Sequence, residues 1–104
     1  SYMGQLKDLQ FLFLDHHRIG DAGIELLAPH LEGLTKLEFL ILTNNKITNE
    51  GLKILAPHLS KLKGLRHLYL DDNLISDKGM EYFATFLKDL EKLSMLKLGN
   101  NQIG

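Results

Sequence analysis

The chain contains no cysteine and no Asn-x-Ser/Thr sequon. A disulfide-stapled fold is therefore excluded, and the expected setting is a reducing, intracellular one: the cytoplasm, or a host cytosol for a secreted effector. Neither sign of charge is in excess, with 12 Lys+Arg against 13 Asp+Glu. Binding to nucleic acid or to an anionic membrane surface would call for a basic surplus, so neither is expected as a partner. No apolar run approaches the roughly 18 residues that span a bilayer, and no charged segment followed by an apolar stretch opens the chain. Only two prolines interrupt it, Pro29 and Pro57. What remains is a composition 44% hydrophobic and 24% charged over 104 residues, enough for one globular domain.

What is present is a repeat. Leu37–Asn45 reads Leu-Glu-Phe-Leu-Ile-Leu-Thr-Asn-Asn, with leucine at the first, fourth and sixth places and asparagine at the ninth. The spelling returns at Leu65–Asn73 and Leu93–Asn101, and at Leu9–His17 with histidine in the ninth place. The four starts are 28 residues apart with no insertion or deletion. The expected organisation is a single array over 1–104, with full units at 9–36, 37–64 and 65–92 and a partial unit at 93–104. In residues 1–8, Met3 and Leu6 fall where Leu31 and Leu34 fall one unit later. That register predicts the end of a preceding repeat, or a tag, at 1–8, and so an array cut from a longer one.

Within a unit the period changes once. Phe39–Thr43 alternates, which predicts a short strand with Leu40 and Leu42 facing inward; Leu12 and Leu14, Leu68 and Leu70, and Leu96 and Leu98 repeat the pair. Ile47, Gly51, Leu52, Leu55, Ala56, Leu59 and Leu62 then advance by three and four, the apolar face of a helix. Thr48 and Ser76 suit helix N-caps, and Asp21 and Asp77 place negative charge in a first turn. Gly23, Gly51 and Gly79 predict a close approach of each helix to the strand beneath it, and Pro29 and Pro57 predict bent or interrupted helices. Glu25, Lys53 and Glu81 form a column of alternating charge across successive helices. Strands sit about 4.8 Å apart and packed helices about 8–10 Å, so the array must curve with its strands inside. The fold class is α/β: a horseshoe segment of solenoid with a parallel concave sheet and convex helices.

The pattern Leu-x-x-Leu-x-Leu-x-x-Asn-x-Ile/Leu followed by a helix, at this period over 9–104, resembles the leucine-rich repeats of the ribonuclease-inhibitor type. The resemblance implies a right-handed solenoid and a non-catalytic protein-binding scaffold. It also leaves open the recognition arm of a larger enzyme, effector or immune receptor, and a GTPase activator of the Ran-directed kind. A structural, self-associating repeat is the third reading.

Outward strand positions mark the candidate site. Phe11, Phe39, His67 and Met95 stand in the third place, Phe13, Ile41, Tyr69 and Lys97 in the fifth, and Asp15 and Asp71 in the seventh. Four strands make this patch about 14 Å wide, mostly aromatic or aliphatic, with an acidic rim; such a patch marks binding of another protein, its alternative being a ladder that only stiffens the sheet. The asparagines of the ninth place read as structural, bonding turn backbone groups, and His17 in their column predicts a looser first turn. No catalytic, cofactor or metal site is expected. Asp15-His16-His17 alternates faces along a strand and has no further ligand at a suitable spacing, Asp71-Asp72-Asn73 lacks the rest of a calcium loop, and no phosphate-binding glycine loop follows a strand.

Overall fold

The computed structural model describes residues 8–101. The expectation for Met3 and Leu6 lies outside them. Four three-residue strands, β1 (Phe11–Phe13), β2 (Phe39–Ile41), β3 (His67–Tyr69) and β4 (Met95–Lys97), alternate with three helices, α1 (Gly20–Leu31), α2 (Asn49–Leu59) and α3 (Asp77–Leu87). The strands form one parallel sheet in chain order, in the register Phe11↔Phe39↔His67↔Met95. Pairing outlasts the strands, since Leu14, Leu42 and Leu70 each donate a backbone N–H to the next repeat, at 2.9, 2.8 and 2.8 Å. Among the described residues no helix is long and apolar enough to cross a membrane.

The change of period separates two layers, helices on one side and sheet on the other, with the leucines between them. Leu40, Leu42, Leu68 and Leu70 are fully buried, as are Ile47, Leu52, Leu55, Ala56 and Leu59 from the helical face. In the outer repeats Leu12, Leu14, Leu96 and Leu98 are only partly covered, because each repeat is buried by its neighbours.

Neither proline interrupts its helix: α1 and α2 run through Pro29 and Pro57 to Leu31 and Leu59. The carbonyls that lose a donor there belong to Glu25 and Lys53, which are exposed, so water can serve them. The glycines also do something other than let helix approach strand. A Cβ on Gly51 would land on the carboxylate of Asp21, and one on Gly79 on the amide of Asn49. These side chains reach into the next repeat: Asp21 accepts from the Thr48 backbone N–H (2.9 Å) and from its hydroxyl, and Asn49 accepts from Ser76 N–H (2.9 Å) while donating to its hydroxyl (2.7 Å). Thr48 caps α2 by accepting from Glu50 N–H at 3.2 Å, as its position predicts. Ser76 makes no such cap, its hydroxyl being held by Asn49.

The charge column is not formed either. Lys53 lies 3.9 Å from Glu50 on its own helix and 5.9 Å from the ring centre of Tyr82. The ion pairs that bridge α1 and α2 lie at their C-terminal ends. There Glu32 accepts from His58 Nδ1 and lies 3.5 Å from Lys61. The His58 hydrogen bond, aided by the charge of Lys61, holds the Glu32 carboxyl below its ordinary value of 4.5.

Candidate binding face on the outer side of the sheet

Alternation along each strand turns the third- and fifth-place side chains away from the core. The parallel register then stacks each place into a column. In the third place Phe11 and Phe39 have ring centres 4.8 Å apart with planes tilted by 31°, and Phe39 and His67 stack 4.1 Å apart with planes nearly parallel at 6°. Met95 continues the column, 39% exposed. In the fifth place Phe13 is 59% exposed, with its ring centre 6.2 Å from Phe11. Ile41 and Tyr69 are half-buried, and Lys97 Nζ lies 5.0 Å from the Tyr69 ring centre. The eight strand residues marked in the sequence thus share one face.

The acidic rim is tied down. Asp71 accepts from Thr43 Oγ1 at 2.9 Å, and Asp15 Oδ2 lies 3.8 Å from His16 Nε2. His16 in turn accepts from the Asn44 amide at 2.9 Å, and His17 Nδ1 lies 2.8 Å from the Asp15 carbonyl oxygen. Among the described residues no three side chains of metal-ligating type converge.

One polar atom on this face lacks a partner: Nδ1 of His67 is buried beside the Phe39 ring with no hydrogen bond among the described residues. A purely apolar column would contain no such atom. The histidine interrupts a phenylalanine stripe at some energetic cost.

Beneath this face the asparagines form a second ladder, offset by one repeat. Asn73 Oδ1 accepts from Asn45 N–H (2.9 Å) and Ile47 N–H (3.0 Å), both in the previous turn, and its amide donates to Leu42 O and Leu70 O at 3.0 Å. Asn45 does the same for the turn before, accepting from His17 N–H at 3.0 Å and Ile19 N–H at 3.3 Å. The expected looseness at His17 is accordingly not found in its backbone. Each turn is served by the asparagine that follows it, so a histidine in the column does not deprive its own turn. Missed in the sequence was the eighth place: His16, Asn44, Asp72 and Asn100 all adopt positive φ, from 56° to 59°. Histidine, asparagine and aspartate are the non-glycine residues that tolerate this region best, and their recurrence was the available signal.

The leucine-rich repeat family model matches residues 5–28, 33–56 and 64–84, well over half of the chain. The chain belongs to the leucine-rich repeat family. No curated protein matches it. Among solved structures, the actin-binding site 2 of leiomodin-1 superposes with a TM-score of 0.78 at 20% identity, over 95% of this chain and 60% of that one. The repeat array thus spans about 60% of the length of that structure, and the likeness is one of fold. An internalin, inlF of Listeria monocytogenes str. 4b F2365, aligns over 72% of this chain and 26% of its own at 25% identity, with a TM-score of 0.43.

Proposed function

We propose that the chain is a non-catalytic protein-interaction module of the ribonuclease-inhibitor subtype of repeat, and that it binds its partner through the outer, concave face of the sheet. The observation that carries this reading is the run of ring contacts from Phe11 through Phe39 to His67, flanked by exposed Phe13 and Met95. Aromatic side chains that are already stacked lose little freedom on binding and supply the largest anchors at interfaces. Membership of the leucine-rich repeat family supports a protein as the class of partner. That the similar leiomodin-1 structure is an actin-binding site supports it too. The subtype is supported by the 28-residue spacing of paired strand positions and by a helix of 11 or 12 residues in each full repeat.

The test is the double substitution Phe39→Ser/Tyr69→Ser. Affinity for a protein partner should fall at least about tenfold, the equivalent of one modest interface anchor, with the folded circular-dichroism spectrum retained. Unchanged affinity refutes the assignment. Light scattering over a concentration series separates the second reading, favoured by the exposure of Phe13: association in the wild type that vanishes in the double variant makes another copy of this chain the occupant of the face.

A further inference from the structure

Where the loops enter the strands, a shallow pocket of about 210 Å³ is lined by Gln10, Lys36, Glu38, Gly64, Arg66 and Lys92. Its position follows from the repeat. Lys36, Gly64 and Lys92 occupy the last place of three successive units, and Gln10, Glu38 and Arg66 the second place. At Gly64 the column of long side chains is interrupted, leaving a notch between two lysines that stand about 10 Å apart at the strand spacing.

The fold does not require that glycine. A Cβ at Gly64 would meet only Leu37 O at 3.6 Å and Thr35 O at 3.9 Å, ordinary contacts, whereas Gly51 and Gly79 each make room for a side chain of the previous repeat. The charges around the notch do not cancel. Lys36 lies 3.2 Å from Asp8 and Arg66 3.4 Å from Glu38, while Lys92 makes no ion pair among the described residues. The balance is one cation in excess, with two more whose partners are solvent-exposed and exchangeable.

Gly64 lies in the turn that leads into β3, three residues before His67 and so no more than about 11 Å from it. The notch is therefore within reach of a segment bound on the aromatic column. We propose that it receives an aspartate or glutamate carboxylate of the partner, so that the bound segment carries an acid about three extended residues from the apolar anchor that sits on Phe39 and His67. This rests on the reading of the sheet face as the binding surface. Lys36 and Lys92, on either side of the notch, hold the carboxylate, and Gly64 admits it.

The probe is the peptide acetyl-Glu-Ala-Ala-Phe-amide, compared with its Gln counterpart by titration against the isotope-labelled chain and observation of backbone amide shifts. The expected result is saturable movement at Gly64 and Lys92 together with His67 and Tyr69. The Glu peptide should bind about threefold to tenfold more tightly, a gap that closes in Lys36→Ser/Lys92→Ser and shrinks with added salt. If both peptides move only the strand residues with equal affinity, the notch proposal is overturned and the reading of the face stands. Movement at Gly64 and Lys92 alone, still dependent on Glu and on the lysines, keeps the carboxylate site and overturns the face. No movement of either set at millimolar peptide overturns the proposal.

Discussion

The ninth-place asparagines and the third-place column run parallel along the same sheet, one beneath it and one on top. They obey opposite rules. Asn45 and Asn73 are buried, and each gives its amide oxygen to two backbone N–H groups of the turn before and its nitrogen to the carbonyl 31 residues earlier. The third place varies, from Phe11 and Phe39 to His67 and Met95, and tolerates a buried nitrogen with no partner among the described residues. Regularity marks the chemistry that the backbone needs, and irregularity marks the positions left available for recognition.

The sharpest way to break this comparison is Asn73→Ala. It strands the N–H groups of Asn45 and Ile47 and the carbonyl of Leu42 in the core, while Leu70 O keeps the Asn101 amide at 3.0 Å. A loss of about 3 kcal/mol in urea unfolding is expected, since each orphaned buried group costs about 1–3 kcal/mol and part of the loss relaxes. Gly51→Ala comes next. Its new methyl displaces the Asp21 carboxylate from Thr48, and about 2 kcal/mol should be lost in the same measurement, with Asp21→Ala adding little on top because both changes remove one interaction.

The upper column should respond in the opposite sense. His67→Phe removes the unpartnered nitrogen and extends the ring stack, so thermal unfolding should report a gain of about 0.5–1 kcal/mol. If His67→Phe also weakens partner binding, the histidine is kept for recognition at the expense of stability. The smallest effect belongs to Glu32. Its carboxyl titrates below 4.5 in the folded chain, so its contribution is complete above the unfolded-state value and disappears as pH falls through the folded one. Urea midpoints of wild type and Glu32→Gln should therefore differ at neutral pH and converge on the acid side of 4.5.

Most of the architecture was legible in the sequence because a repeat states each rule several times. Leu40, Leu42, Leu68 and Leu70 could be placed in the core from alternation alone, and the face shared by Phe39, His67 and Tyr69 followed from the same count. Interactions between repeats were read less well. Gly51 serves Asp21, a residue 30 positions earlier, and nothing local to the glycine shows this. The local rule that a proline interrupts a helix takes no account of solvent at the carbonyl left without a donor, and Lys53, which carries it, is exposed. The Gly64 notch is not legible locally, because a glycine in a loop ordinarily signals a turn. Its meaning depends on Lys36 and Lys92 in the units on either side.

The offset of the asparagine ladder gives the array a direction in time. A turn emerging from the ribosome cannot close its backbone bonds until the asparagine 28 residues downstream has been synthesised. Each unit is therefore finished by its successor, and closure must trail translation by one repeat.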